Sequence, residues 1–170
     1  ESEAHTGYVK IAEGCDHRCA YCVIPFLRGR YRSRRKDEIV KEVEARVKAG
    51  LREAVLIAQD TGCYGKDLNP RENLASLIKD LCRIEDLRWI RIMYCYPEEV
   101  NEELLAAMQH EKVCPYIDMP IQHVSDPVLK AMGRPLSSAG LKEKIRMIRQ
   151  ALPDVFIRST LMVGFPGETQ

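Results

Sequence analysis

The chain has 170 residues, 45% of them hydrophobic and 30% charged, which suits one globular domain and excludes disordered, collagen-like and low-complexity classes. Lys and Arg (26) nearly balance Asp and Glu (25), so the net charge of +1 gives no whole-molecule case for nucleic acid or an anionic membrane. No apolar run approaches the roughly 18 residues that span a bilayer, and Glu1-Ser2-Glu3-Ala4-His5 shows no export leader.

In chain order, short β-rich runs alternate with helical ones. Tyr8-Val9-Lys10-Ile11 reads as the first strand. After a long polar loop, Ile39, Val40, Val43 and Val47 fall on one helical face, with Asp37 and Glu38 in the first turn and Gly50 at the end. Residues 54–58 form a continuous apolar run, as a strand buried on both faces requires. Asn73 suits the cap of a helix whose Leu74, Leu77, Ile78 and Leu81 repeat at helical spacing.

Residues 89–93 read as the third strand. Asn101 suits the cap of the next helix, with Val100 placed to staple onto Leu105. Residues 116–119 are a fourth strand, Asp126-Pro127 a helix start, and Ser138 opens a longer helix carrying Leu141, Ile145, Ile148 and Leu152. Residues 155–163 are the fifth strand. Five strands joined by helical crossovers make an α/β fold with a parallel sheet. A closed eight-fold barrel takes about 250 residues, so a partial barrel or a doubly wound sheet is expected.

In such folds ligands lie at the C-terminal ends of the strands. The loops there carry Gly14-Cys15-Asp16-His17-Arg18-Cys19-Ala20-Tyr21-Cys22, then Gln59-Asp60-Thr61, Tyr94-Cys95-Tyr96-Pro97, Pro120-Ile121-Gln122-His123 and the turn at Gly164. Seven cysteines, an odd number, and no leader argue against a disulfide framework, and no disulfide partner is expected. Cys63, Cys82, Cys95 and Cys114 are scattered, and Cys82 reads as a small core residue.

Cys15, Cys19 and Cys22 differ, because C-x3-C-x2-C lets three thiols converge if the loop wraps round a centre. Three thiolates suit a 4Fe–4S cube with one iron open to a cosubstrate. A zinc ion would need a fourth ligand, for which His17 is nearest; three free thiols are the remaining reading.

The spacing C-x3-C-x-aromatic-C after a first strand resembles the radical S-adenosylmethionine (radical SAM) superfamily. Ile24-Pro25, Arg28-Gly29-Arg30-Tyr31-Arg32-Ser33-Arg34 and Val163-Gly164-Phe165-Pro166-Gly167-Glu168-Thr169 resemble its methylthiotransferase branch. Asp16-His17-Arg18, Gln59-Asp60-Thr61 and Pro120-Ile121-Gln122-His123 are most similar to members that modify a ribosomal protein, rather than to the transfer-RNA-modifying members.

The resemblance implies a partial (β/α)6 barrel, here running only through the fifth strand. It also implies a cluster held by Cys15, Cys19 and Cys22 that binds S-adenosylmethionine. One electron would break the sulfonium S–C5′ bond, and the resulting 5′-deoxyadenosyl radical would take hydrogen from an aspartate β-carbon of small-subunit ribosomal protein twelve. A methylthio group would then be added at that carbon.

Tyr21 matches the aromatic position beside the adenine. Gln59 and Asp60 match groups at the methionine amino end, where a carboxylate suits an ammonium. Gln122 matches ribose or methionine contacts, and Val163 and Gly164 backbone near the adenine. Arg158, a charge among apolar residues, needs either the cofactor carboxylate or an internal acid as partner. His123 reads equally as a loop histidine.

The whole chain, residues 1–170, is expected to be the radical SAM core alone. The family's N-terminal domain with a second 4Fe–4S cluster and its C-terminal TRAM domain, which engages the ribosomal substrate, would lie outside it. A flavodoxin or ferredoxin is the expected electron donor, and the cytoplasm the expected location, with no membrane partner. Six basic residues within 28–36 suit either a solvated loop or a landing surface for a ribosomal partner or phosphate. The core of a transfer-RNA methylthiotransferase, and a plain iron–sulfur or zinc module, are the alternative readings.

Overall fold

The computed structural model describes residues 5–69 and 71–169. The first four residues, within the stretch searched for a leader, lie outside the described residues. The chain opens with β1 (Thr6–Lys10), β2 (Ala12–Glu13), α1 (Ile24–Arg28) and β3 (Arg32–Ser33). It continues through α2 (Lys36–Lys48), β4 (Glu53–Ile57), α3 (Leu74–Cys82), β5 (Trp89–Ile92) and α4 (Glu102–Met108). It closes with β6 (Tyr116–Asp118), α5 (Asp126–Ala131), α6 (Ser138–Ala151) and β7 (Phe156–Arg158). Short 3-10 turns at Thr61–Cys63 and Pro97–Glu99 follow β4 and β5.

β1 pairs with β4, β4 with β5, and β6 with β7, all in parallel. A parallel bridge between Ile90 and Val113 and a 2.9 Å bond from Cys95 N–H to Asp118 O join β5 to the β6 segment. The parallel strands therefore follow one another in chain order, β1-β4-β5-β6-β7. That is the winding of a partial, unclosed barrel rather than a doubly wound sheet.

The two faces of this sheet differ. Val9, Ala54, Leu56, Ile90, Ile92 and Ile117 join the buried cluster with Ile39, Val43, Leu77, Ile78, Leu81 and Leu105 of the helices. This is the convex, helix-covered side. Alternate strand residues point the other way. There Glu53 accepts from Arg91 at 2.8 Å, the Arg91 guanidinium lies 5.2 Å from the Tyr116 ring centroid, and Arg158 donates to Asp118 at 3.0 Å.

Helix signals hold where they rest on caps. Asn73 accepts from Ser76 N–H at 2.8 Å and Ser76 Oγ accepts from Asn73 N–H, a reciprocal capping box. Asn101 accepts from Leu104 N–H at 2.9 Å. Asp126-Pro127 starts α5 as expected. Asp126 follows the cap residue Ser125, and its carboxylate accepts from Ser138 N–H at 2.6 Å, tying α5 to the start of α6. The antiparallel ribbon β2-β3 and the one-turn α1 are not anticipated by periodicity, being too short to show any. The fifth strand is shorter than residues 155–163: β7 ends at Arg158, and Leu161 only bridges Gln122.

The basic stretch 28–36 is largely paired within the chain. Arg34 meets Glu42 at 2.7 Å and Lys36 meets Asp80 at 2.8 Å, while Arg28, Arg30 and Arg35 face Glu13, Asp16 and Asp37. Arg32 donates to the carbonyls of Arg30 and Arg28. These contacts favour the solvated-loop reading over a free cationic landing surface.

Candidate functional site

The loop after β2 carries the three clustered cysteines at the C-terminal rim of the sheet. Gly14 has φ +84°, and a Cβ there would stand 2.2 Å from the Arg30 carbonyl oxygen. Only glycine lets the two segments meet so closely. Cys15 N–H then donates to Gly29 O at 3.2 Å, Cys22 N–H to Cys19 O at 3.0 Å, and Ala20 N–H to Met132 O at 3.0 Å. Cys15 and Cys19 are buried and Cys22 half-buried, all three as free thiols. Burial pushes the Cys15 thiol up, and the charges of Asp60, Cys19 and Cys22 push it the same way.

A residue the sequence reading missed faces this loop. Arg134 is 8% exposed. Its Nη1 points at Cys19 Sγ from 3.9 Å, and its Nη2 donates to Glu98 and to the Pro120 carbonyl at 3.4 and 3.3 Å. Its guanidinium lies 4.3 Å from the Tyr96 ring centroid, and Tyr96 stacks on His17 at 4.7 Å. The preceding Gly133, at φ +74°, has room for a Cβ only 3.0 Å from Arg18 O, which presses this turn onto the cysteine loop. A Gly-Arg-Pro triplet after a short helix is the available signal, but nothing in it names a partner more than a hundred residues away.

Asp60, expected at the methionine amino end, is completely buried. Its Oδ2 accepts from Cys63 Sγ at 3.2 Å and bonds His17 Nε2 at 2.8 Å; its Oδ1 accepts from Gly62 N–H at 3.0 Å and Tyr96 N–H at 3.3 Å. Every one of these partners is internal, so this carboxylate ties the rim loops together. The bond to Asp60 raises the His17 pKa, against burial that lowers it. Burial, then the Asp60 and Glu99 charges, push the Cys63 thiol well up.

The other expected residues lie around the same rim. Tyr21 Oη and Gln59 Oε1, with Glu98 Oε1, are buried without a hydrogen-bond partner among the described residues. Burial, reinforced by the Cys19 charge, pushes the Tyr21 phenol up to about 12. Gln122 is nearly buried with φ +69°, a left-handed conformation unusual outside glycine, and Tyr94 shares it at φ +54°.

Arg158 meets its internal acid, Asp118. His123 Nδ1 accepts from Ser125 N–H at 2.9 Å and its Nε2 faces Glu168 at 3.1 Å, the arrangement of a satisfied loop histidine. Glu168 also accepts from Gly164 N–H at 2.6 Å and Phe165 N–H at 3.1 Å, closing the 164–168 turn. That turn sets Phe165 edge-on to Tyr21 at 6.5 Å and leaves Val163 exposed.

The donor set fits an iron–sulfur cluster. Three thiols sit on one short loop, two of them buried, with a buried guanidinium beside one sulfur and unpaired polar atoms of Tyr21 and Gln59 close in sequence to the rim ligands. His17, the nearest fourth ligand for zinc, has its Nε2 on Asp60 and its ring on Tyr96.

The Radical SAM superfamily model matches residues 9–170. The chain is 50% identical over 167 residues to the ribosomal protein uS12 methylthiotransferase RimO of Clostridium acetobutylicum, covering 98% of this chain and 38% of that protein. The protein of the same description from Clostridioides difficile is 46% identical over 168 residues, with the same coverage. The chain thus spans well under half the length of these relatives.

Among solved structures, the radical S-adenosylmethionine methyltransferase TsrM of Kitasatospora setae, with cobalamin and a 4Fe–4S cluster bound, superposes at a TM-score of 0.74. It has 18% identity and covers 96% of this chain and 32% of its own. The cobalamin-dependent S-adenosylmethionine radical enzyme OxsB reaches 0.69 at 15% identity, covering 91% and 23%. At such identities these two report the fold alone.

Proposed function

Because the chain belongs to the Radical SAM superfamily, we propose that it is the core of a methylthiotransferase acting on an aspartate β-carbon of ribosomal protein uS12. The observation that carries this reading is the 46–50% identity to uS12 methylthiotransferases across 98% of the chain, cysteine loop included. The whole chain is then the radical SAM core, and the sulfur-supplying second cluster and the substrate-gripping TRAM domain belong to other parts of the full-length enzyme.

In this reading Cys15, Cys19 and Cys22 hold a 4Fe–4S cluster. When bound, it supplies the electron that cleaves the S–C5′ bond of S-adenosylmethionine. The chain's own groups bind and orient. The unpaired Gln59 Oε1 accepts from the methionine ammonium, and the Tyr21 hydroxyl donates toward the cofactor from a ring braced by Phe165. Gln122 contacts the ribose or the methionine, Val163 and Gly164 bring backbone close to the adenine, and Arg158 keeps Asp118 as its partner. Asp60 serves as a positioning residue that fixes the loops bearing Gln59 and Tyr96. Arg134 places positive charge beside the Cys19 sulfur.

A flavodoxin or ferredoxin would deliver the electron, in the cytoplasm. No helix among the described residues is long and apolar enough to cross a membrane.

Anaerobic reconstitution with iron and sulfide, followed by dithionite and S-adenosylmethionine, tests the core. A brown chromophore and 5′-deoxyadenosine are expected, and Cys19→Ala should abolish both. A colourless protein holding one zinc in the cysteine loop would refute the reading. The full-length enzyme assayed on uS12 and on transfer RNA then decides the substrate.

A further inference from the structure

A second constellation of metal-ligand type lies next to the cysteine loop. His17, Asp60, Cys63 and Glu99 come from three separate loops, and their ligand atoms all lie within 4.8 Å of one another. His17 Nε2 to Asp60 Oδ2 is 2.8 Å, Cys63 Sγ to Asp60 Oδ2 3.2 Å, and Cys63 Sγ to His17 Nε2 3.9 Å. Zinc bonds of about 2.0–2.3 Å in a tetrahedron put ligand atoms roughly 3.3–3.8 Å apart. The measured separations bracket that range, so small side-chain rotations would admit an ion.

The supports of a metal site are also present. Backbone N–H groups of Gly62 and Tyr96 hold Asp60 Oδ1, leaving Oδ2 aimed at His17 and Cys63. Stacking on Tyr96 fixes the His17 ring. Such outer contacts orient ligands in metal sites generally. Gly62 brings the loops together: a Cβ there would lie 2.3 Å from Glu99 Cβ, so any larger residue would drive Glu99 away from Cys63. Lys66 forms an ion pair with Glu99, a cation on the carboxylate that a metal would use, and its side chain is 59% exposed and free to withdraw. A cavity of about 470 Å³, bordered by Asp16, His17, Tyr31, Cys63 and Glu99, provides the entry path.

We propose that His17, Asp60, Cys63 and Glu99 bind one divalent transition-metal ion of the zinc class, separately from the three-cysteine loop. One nitrogen, one sulfur and two carboxylate oxygens suit zinc over magnesium or calcium, which prefer oxygen alone. Binding releases the Cys63 proton to solvent. The ion would pin the cysteine loop, through His17, to the turns after β4 and β5.

The test uses the chain with Cys15, Cys19 and Cys22 all replaced by Ala, so that no thiol of that loop competes. The result is then independent of whether the chain carries an iron–sulfur cluster. Cobalt(II) is the probe, with zinc as competitor. One equivalent should bind with a thiolate-to-cobalt charge-transfer band, and zinc should displace it. Adding Cys63→Ser should remove the band, and adding His17→Ala or Glu99→Gln should weaken binding at least tenfold. No saturable binding by a background that circular dichroism shows to be folded, or a band unchanged by Cys63→Ser, would overturn the proposal. Should the triple variant not fold, the cluster-reconstituted parent serves instead. Its zinc content should then be one per chain, falling in Cys63→Ser, and an equal content in both would overturn the proposal.

Discussion

The convex and concave faces of the same sheet follow different rules. On the convex side, Leu56 and Ile92 pair in register and both lie buried under helices. One step away, Val55 pairs with Arg91, and Arg91 reaches Glu53 and Tyr116 on the concave side. The convex face is held by apolar area, which is non-directional and large in sum. The concave face and its rim are held by paired charges and hydrogen bonds, which are directional and individually modest. Stability resides mainly in one and the candidate site lies at the rim of the other, so substitutions on the two faces should separate the properties.

The largest stability effect is expected from Leu56→Ala, at about 2–5 kcal/mol for a fully buried leucine. Urea unfolding would report it, while the iron–sulfur absorbance per folded molecule should stay unchanged. Comparable loss of absorbance in the folded fraction would show that the faces are not separable. Arg134→Leu on the rim should cost about 3 kcal/mol, because it leaves the Glu98 carboxylate without its buried cation. Unlike Leu56→Ala it should also alter the cluster, visible as a lower midpoint potential once the positive charge near Cys19 is gone. Equal potentials in both proteins would remove Arg134 from the site.

Arg91→Met tests the concave floor. Its partly exposed pair with Glu53 should be worth about 1 kcal/mol, again by urea unfolding. A loss as large as that of Leu56→Ala would contradict the division.

The smallest effect concerns the 164–168 turn. His123 and the amides of Gly164 and Phe165 hold the Glu168 pKa below its usual value. A depressed folded pKa contributes stability above the ordinary carboxylate pKa and loses it as pH falls through the folded one. Protection of the Gly164 amide against hydrogen exchange should therefore decline in acid, and Glu168→Gln should remove that dependence.

The convex face was largely legible in the sequence, and the concave face was not. Helices α2, α3 and α6 show their apolar stripes, and Asn73 and Asn101 announce their helices by cap chemistry. The continuous run at 54–58 marks a buried strand but hides which of its residues face the helices. Asp126 shows the reach of local rules: α5 starts there as expected, but the tertiary bond from Ser138 N–H to its carboxylate has no signal in the sequence.

The cysteine trio was visible because its three residues are neighbours in sequence. Arg134 and the grouping of His17 with Cys63 were not, since they depend on which loops the sheet brings to one rim. Arg158 carried its own clue: a charge in an apolar strand required a partner, and Asp118 is that partner.

The strand order has a consequence for how the molecule is made. Each parallel strand docks beside the one before it, so the order of assembly can be the order of synthesis. β4 begins at Glu53 and β5 at Trp89, and a ribosome adding roughly 5–20 residues per second takes a few seconds between them. Helix formation and local collapse take microseconds. A nascent unit therefore has ample time to settle on the existing sheet edge before the next competes for it, and no strand must wait for a distant partner still inside the ribosome.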